Sequence, residues 1–254
     1  MRAYKSFLIV VGCIAALVLL AEFLLPVFGI PGYLVPRPSE VALSLVKGFR
    51  TVVVSLAITA GEAGCGLVLA VLLSFPLAVA TLMLPRTALR IVTGVGVAFQ
   101  SMPLVAIAPL LTLWFGHAYF SKAVAAMIMC FFPLLTGWLS GFASISAEQL
   151  QLFENMGATR LQAARFLYVP LALPFFFGGL RVAMPLALIG AIVGEFIGAV
   201  EGLGFQILQN SYYLKTADMF GYIIVTTVTG WLLTLLVASV ERKVLFWRAT
   251  AEDS

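Results

Sequence analysis

Two glutamates stand in apolar surroundings, where an ionisable side chain needs a reason to be present. Glu62 lies within residues 59–66, and Glu195 lies within residues 192–196. A carboxylate inside an apolar helix is costly, so it usually pairs within the protein or faces a path for an ion or solute. Small residues flank both glutamates, which would let another helix approach closely. The two residues are therefore candidates either for structural pairing between helices or for a translocation path.

No other group of residues is typical of an active site. His117 is the only histidine and has no carboxylate or cysteine beside it. The cysteines, Cys13, Cys65 and Cys130, lie in apolar runs without metal or redox spacing, so we interpret them as small buried hydrophobes. The sequence has no phosphate-binding G-x-x-x-x-G-K-[ST] loop and no G-x-S-x-G nucleophile turn. We expect no metal site, no cofactor bound by this chain and no enzymatic activity.

The composition predicts an all-α membrane protein. Hydrophobic residues make up 62% of the 254 residues and charged residues 10%, whereas soluble domains have about 45–50% and about 25%. The mean hydropathy of +1.10 agrees. Basic residues exceed acidic ones, for a net charge of +4. They are scattered at the ends of apolar runs, which indicates membrane topology and not nucleic-acid binding.

About six transmembrane helices are predicted from the apolar runs. The first run is longer than the core of a signal peptide, about 7–15 residues, and no small-x-small cleavage pattern follows it, so we expect it to be retained. Six spans of roughly 20 residues would use about half of the chain and leave no room for a sizeable soluble domain. The runs cover residues 6–28, 52–82, 91–114, 121–141, 172–199 and 219–240.

The charges between these runs predict the orientation and the domain division. With the N-terminus in the cytoplasm, nine Lys and Arg residues lie on that side and five on the other, so we expect both termini to be cytoplasmic. We divide the chain into a first helix with an external linker, 1–50, a core, 51–245, and a cytoplasmic tail, 246–254. A charged cytoplasmic stretch, 144–170, separates the fourth and fifth spans.

A polar break interrupts the third span. Pro103 removes one helical hydrogen bond and can kink the helix, which frees backbone carbonyl groups that must be satisfied inside a membrane. Such breaks often line cavities. The alternative interpretation, that the kink only helps the helices to pack, is equally consistent with the sequence. The candidate pathway residues are therefore Gln100, Ser101, Met102 and Pro103, together with Glu62 and Glu195.

The stretch 144–170 is unlike a simple loop. Leu150, Phe153 and Met156 are three residues apart, so a short helix would present them together. Gly157 then suits the left-handed position that ends a helix. The pattern predicts an exposed apolar knob, which needs a partner.

A second short helix is predicted directly after this glycine. Thr159 can cap it, and Gln162 three residues later completes a capping box. Pro170 and Pro174 would fix the entry into the fifth span. The alternative is an amphipathic helix lying on lipid. It is disfavoured because the apolar face is short and its basic content is low.

This stretch resembles a known signature. The run Gly157-Ala158-Thr159-Arg160, followed by Pro170-x-x-x-Pro174, resembles the cytoplasmic loop of ABC importer permeases, E-A-A-x-x-x-G followed by I-x-L-P. The signature glycine corresponds to Gly157 and its closing proline to Pro170. The E-A-A triad would fall on Gln151, Leu152 and Phe153, where the match fails, although Glu154 offers a charge nearby.

The resemblance extends over about residues 55–240. Supporting stretches lie at 109–116, 179–183, 194–198 and 202–204. Together they are similar to the nitrate/sulfonate/taurine branch of these permeases, which includes permeases for thiamine-precursor pyrimidines. The resemblance implies a type I ABC importer permease architecture in the bacterial inner membrane.

The resemblance also implies a mechanism and partners. Two permease copies would form the pathway at their interface, surrounded by lipid, and an ATPase dimer would bind ATP and Mg. A periplasmic binding protein would deliver the solute to outer loops near 30–50, 116–122 and 200–217. The knob would sit in a groove of the ATPase. The residues implied in this coupling are Gln151, Leu152, Phe153, Glu154, Gly157, Ala158, Arg160, Arg165 and Pro170.

Three alternatives remain open from the sequence. An ion-gradient-driven secondary transporter could use Glu62 and Glu195 for coupling, although we find none of the inverted repeats that would favour it. The second permease copy could be a different chain. The substrate could be a sulfonate-type anion or a neutral or weakly cationic aromatic such as a pyrimidine, and the two acidic residues favour the latter.

Overall fold

A computed structural model describes residues 2–82, 94, 96 and 102–246, and it gives only the backbone for residues 2–11 and 14. Within these ranges the chain forms helices joined by short turns, without a strand. A π-helical turn, Ala164–Tyr168, joins the helix Arg160–Ala163 to the helix Val169–Phe196 without a break. The helices are α1 (Arg2–Val27), α2 (Pro38–Lys47), α3 (Phe49–Thr81), α4 (Leu104–Phe115), α5 (Tyr119–Ala143), α6 (Ala147–Asn155), α7 (Arg160–Ala163), α8 (Val169–Phe196), α9 (Leu203–Tyr212) and α10 (Thr216–Val244).

The prediction of an all-helical protein with about six apolar spans is confirmed. In the part of the chain that the structure describes, four helical segments are long and apolar enough to cross a membrane, and they are α3, α5, α10 and the continuous helix Arg160–Phe196. Two shorter apolar helices, Ala15–Val27 and Leu104–Phe115, lie within the first and third predicted spans. Residues 91–93, 95 and 97–101 of that third span, including Gln100 and Ser101, lie outside the described residues.

The fifth span begins earlier than the sequence predicts. We expected Pro170 and Pro174 to mark the entry into it, but the helix is continuous from Arg160 onward. Pro170 lies directly after the π-helical turn and has no N–H, so it donates no hydrogen bond to a carbonyl group of that turn. The wider π-helical turn just before it accommodates the junction.

The core is built on α5, which packs along α8 on one side and α3 on the other. Small residues bring these helices close together. A Cβ atom built on Gly66 of α3 would lie 2.5 Å from the Ala123 carbonyl oxygen, and one on Gly141 of α5 would lie 2.5 Å from Ala172 Cα. Close backbone approach of this kind is how helices associate in lipid, where burial of apolar surface gives little driving force.

The remaining helices lie around this core. α10 packs on α8, on α9 and on α2. An ion pair joins α8 to α10, with Arg181 Nη2 2.6 Å from Glu241 Oε2. Of the three cysteines, only Cys130 is fully buried, while Cys65 is partly buried and Cys13 is exposed. The prediction that all three are buried is therefore wrong for Cys13, because α1 has little contact with the core.

Candidate functional site

Residues 144–170, here called the coupling segment, fold into the two short capped helices that the sequence predicts. The Thr159 backbone N–H donates to Gln162 Oε1 at 2.8 Å, and the Gln162 N–H donates back to Thr159 Oγ1 at 3.3 Å. A second capping box starts α6, where the Gln149 N–H donates to Ser146 Oγ at 3.2 Å. The Ser-x-x-Gln spacing could have revealed it, and the sequence analysis missed it.

Gly157 makes the turn between the two helices. Its φ angle is +68°, in the left-handed region that glycine adopts without strain. The Ala158 N–H donates to the Phe153 carbonyl at 3.0 Å, and the Gly157 N–H donates to the Glu154 carbonyl at 2.9 Å. These bonds satisfy carbonyl groups at the end of α6, so the prediction of a helix-ending glycine is confirmed.

The apolar surface of this segment differs from the one predicted. Leu150 and Phe153 are half-buried and line a groove of about 360 Å³ between the segment and the end of α3. Met156 points outward, as do Leu152 and Leu161, which are 58% and 79% exposed. The exposed large apolar side chains of this segment are Leu152, Met156, Leu161 and Phe166, and the first three, at the two short helices, are here called the apolar knob. The error arose because the three-residue spacing did not reveal which helix face packs on α3.

The other residues implied in coupling surround the apolar knob. Gln151, Glu154, Arg160 and Arg165 are exposed, while Ala158 and Pro170 are partly buried. Glu154, Ala158 and Arg160 also line the groove beside α3. Polar and charged side chains thus border an exposed apolar patch, which is typical of a protein-binding surface.

A second feature is a cavity of about 570 Å³ between α5 and α8, at the start of α4. Small and hydroxyl residues open one side of it, among them Thr136, Ser140 and Gly178. Met102, a candidate pathway residue, also lines it. Pro103 lies beside it as the residue that precedes α4. None of the described residues that line this cavity is charged.

Glu62 and Glu195 lie together in the helix packing. Glu62 is 3% exposed and Glu195 is 1% exposed, and their carboxyl groups lie within hydrogen-bond reach of each other. Neither residue belongs to the described lining of the α5–α8 cavity. This arrangement favours the interpretation as structural pairing between helices over that of a translocation path.

Thr59 and the start of α9 complete this contact. Thr59 Oγ1 donates to Glu195 Oε1 at 2.6 Å and accepts from the Leu203 N–H at 2.8 Å. The Gly204 N–H donates to Glu195 Oε2. These residues come from α3, α8 and α9, which are far apart in sequence, so no spacing pattern could have identified Thr59 as a partner.

Two polar clefts lie where α2, the start of α3, α9 and α10 meet. One has a volume of about 590 Å³ and includes Glu40, Lys47, Lys215 and Asp218. The other, of about 400 Å³, includes Arg50, Glu201 and Gln206. The predicted outer loops 30–50 and 200–217 therefore meet on one face of the molecule.

Comparison with known proteins adds the family. Residues 66–244 match the family described as the binding-protein-dependent transport system inner membrane component. The formylaminopyrimidine transport permease protein ThiX of Halalkalibacterium halodurans is 33% identical over 217 residues, which cover 85% of this chain and 86% of that one. The taurine transport system permease protein TauC of Escherichia coli is 27% identical over 72% of this chain and 66% of its own.

A solved structure shares the fold. A chain of the MetNI methionine ABC transporter, in an inward-facing conformation, aligns with a TM-score of 0.60 and 20% identity, covering 77% of this chain and 95% of its own. The predicted type I importer permease architecture is confirmed. The matches do not support the alternative of an ion-gradient-driven transporter.

Proposed function

Because this chain belongs to the family of binding-protein-dependent transport system inner membrane components, we propose how its parts serve an importer. The chain is a multi-pass inner-membrane permease subunit of an ABC importer and not an enzyme, and the family implies an ATPase and a binding protein as partners. We propose which residues couple the chain to the ATPase and which cargo it carries. We also propose that it pairs with a second copy of itself and that both termini are cytoplasmic.

The coupling segment transmits ATP-driven motion to the spans. The observation that carries this assignment is the apolar knob, which two capped helices and a left-handed glycine hold away from the bundle. Its three side chains would fill a groove on an ATPase subunit that binds ATP and Mg, and the flanking Glu154, Arg160 and Arg165 would border the contact. Because α7 continues without a break into α8, displacement of the knob would move the wall of the α5–α8 cavity directly.

The test is co-purification of the ATPase from mild detergent with this chain as bait. The triple variant Leu152→Ser, Met156→Ser, Leu161→Ser removes the knob without touching either capping box, so it should insert normally and lose the ATPase. Tyr212→Ser, at the end of α9, removes a comparably exposed side chain and serves as the control that retains the ATPase. Retention of the ATPase by the triple variant would overturn the assignment of the coupling segment.

The cargo is a small uncharged heteroaromatic molecule of the thiamine-precursor pyrimidine type. The α5–α8 cavity offers hydroxyl, thioether and apolar contacts, and none of its described lining residues is charged. An anion such as a sulfonate would gain from a cation or helix dipole in its path. The relative ThiX is named for formylaminopyrimidine, whereas TauC is named for taurine.

Uptake into proteoliposomes that contain the complete transporter would test this assignment. Labelled formylaminopyrimidine should accumulate when ATP and the binding protein are supplied. Thr136→Val, which removes a hydroxyl from the cavity wall at nearly constant volume, should lower that uptake. Leu113→Ala, on an exposed position of α4 that does not line the cavity, is the control. Uptake of taurine without the pyrimidine would overturn the assignment.

A second copy of this chain would close the open side of the cavity, with Met102 and Pro103 near the shared pathway. The polar clefts would face the periplasm and receive the binding protein, since they gather both predicted outer loops. Both termini, including the tail 246–254, would then be cytoplasmic. Disulfide cross-linking of cysteines introduced on the α5–α8 face should yield a dimer of this chain alone, whereas cross-linking only to a different permease would overturn the homodimer.

A further inference from the structure

All of the fully buried charged residues in the described part of the chain lie close together. They are Glu62, Lys122 and Glu195, at 3%, 3% and 1% exposure. Lys122 comes from α5 and packs on α8, because a Cβ atom built on Gly194 would lie 3.1 Å from Lys122 Cα. Burying three separate charges would be very costly, and clustering them allows mutual compensation.

The protons in this cluster can be assigned from the contacts. The two carboxyl groups lie within hydrogen-bond reach of each other. An ionised carboxylate can only accept, so one of the two must carry a proton. Glu195 already accepts from the Thr59 hydroxyl and from the Gly204 N–H, both of which favour its ionised form. Glu62 has an oxygen, Oε2, without a hydrogen-bond partner among the described residues.

The surrounding elements do not alter this assignment. From α5, the Lys122 ammonium donates to the carbonyl groups of His117 and Ala118, and the Tyr119 hydroxyl lies against α3 at Gly61. From α3 itself, Cys65 lies one turn from Glu62. One carboxylate, one neutral acid and one ammonium sum to zero charge. Two carboxylates with the same ammonium would leave a net negative charge buried in the membrane.

We propose that Glu62 and Glu195 hold one proton between them, so that neutral Glu62 donates to ionised Glu195 and this pair positions the start of α9. Glu195 of α8 caps α9, because it accepts a hydrogen bond from a backbone N–H in the first turn of α9. A side chain at the start of α9 itself would normally accept that bond. Gly202 precedes that turn with φ of +108°, and a Cβ atom there would lie 2.2 Å from Glu195 Oε1. The Gly202-Leu203-Gly204 run is thus explained as the space that the carboxylate occupies.

By positioning the start of α9, the Glu62–Glu195 pair also affects the face of the molecule that carries the polar clefts. Both clefts include Gln206 of α9, one turn beyond Gly202. Movement of the α9 start away from Glu195 would therefore reshape both clefts. The proton is a fixed structural one, and it does not travel with the cargo.

The test compares conservative variants of the two acids in the complete transporter. Glu62→Gln keeps a neutral donor to Glu195 and should melt within about 2 °C of the unchanged protein, a shift of at most about 1 kcal/mol for a chain of this size. Glu62→Leu removes the donor and should melt several degrees lower. Glu195→Gln replaces one of the two acceptor oxygens by an N–H₂ group that can only donate, so the Glu62 proton and the Gly204 N–H must share one acceptor, and this variant should also melt several degrees lower.

Infrared spectroscopy detects the protonated carboxyl group itself, so it tests the proton assignment separately from the effect of each variant on stability. The carbonyl stretch of a protonated carboxylic acid, which shifts in D₂O, should be present in the unchanged protein at neutral pH and absent from Glu62→Gln. This spectrum decides the proposal even if Glu195→Gln fails to fold. Identical spectra for the unchanged protein and Glu62→Gln, or equal destabilisation by Glu62→Gln and Glu62→Leu, would overturn it.

Discussion

Gly66 offers a quantitative test of the helix packing on which the permease is built. A Cβ atom at this position of α3 would lie 2.5 Å from the Ala123 carbonyl oxygen, 2.5 Å from Ala126 Cβ and 2.8 Å from the Met127 backbone nitrogen. Two of these three atoms belong to backbone, which no side-chain rotation can move. Because favourable contacts begin near about 3.5 Å, α3 and α5 would have to separate by about 1 Å in Gly66→Ala.

The expected cost follows from two opposing effects. Overpacking of a well-packed core costs about 1–3 kcal/mol, while alanine favours the helix over glycine by about 1 kcal/mol. Gly66→Ala should therefore destabilise the protein by about 0–2 kcal/mol. Gly64 provides the matched control on the same helix, because a Cβ atom there would meet nothing within 4 Å. Gly64→Ala should be neutral or stabilising by up to about 1 kcal/mol.

The difference between the two variants is the quantity to measure. It amounts to about 1–3 kcal/mol, which corresponds to about 2–12 °C in melting temperature for a chain of this length. Thermal unfolding in one detergent at one scan rate, followed by the loss of monodisperse protein in size-exclusion chromatography, would give both values. A Gly66→Ala protein that melts at or above the temperature of Gly64→Ala would refute the close approach of α3 and α5.

The remaining predictions concern the coupling segment. The Gly157→Arg chain should insert normally, but the ATPase of its transporter should hydrolyse ATP without transport, since a non-glycine residue at a φ of +68° costs about 1–2 kcal/mol and displaces the knob. Gly157→Asn, which tolerates the left-handed conformation, should keep the two activities coupled, and normal coupling in the Arg variant would count against the assignment. Ser146→Ala and Thr159→Ala should each weaken a capping box by about 0.5–2 kcal/mol, seen as faster hydrogen exchange at 147–163 than in Ser146→Asp or Thr159→Ser. Unchanged exchange in both alanine variants would mean that packing and not capping holds these helices.

Local features of the sequence were predictable where neighbouring residues decide them. Gly157 and the Thr159–Gln162 capping box depend on contacts within a few residues, and both have the predicted geometry. The exposed knob was predicted correctly for Met156 but wrongly for Leu150 and Phe153, because the orientation of the segment depends on packing against α3 and Tyr168. The position of a helix face relative to a distant helix is a tertiary property, and periodicity alone leaves it undetermined.

For the two buried glutamates, too, the sequence predicted the local feature but not the tertiary contact. Their apolar surroundings marked Glu62 and Glu195 as unusual, but the sequence could not tell pairing from transport. The contact between them joins helices separated by more than a hundred residues, and the Thr59 bond to Glu195 spans 136 residues. Lys122 ends the predicted outer loop 116–122, and only the packing of α5 on α8 shows that its side chain is buried.

The sequence by itself determined that this chain is a helical membrane protein. Hydrophobic residues make up 62% of it and form long runs, which favour a lipid environment, and a helix satisfies its own backbone hydrogen bonds there. It also determined the capped turn of the coupling segment, because local hydrogen bonds need only local residues. Only the tertiary structure decided which apolar residues remain exposed, where the uncharged cavity lies and that two glutamates share one site with Lys122. Those features arise where helices from distant parts of the chain pack closely at small residues. That packing depends on the complementary surfaces of all the helices involved, and no single segment of the sequence specifies it.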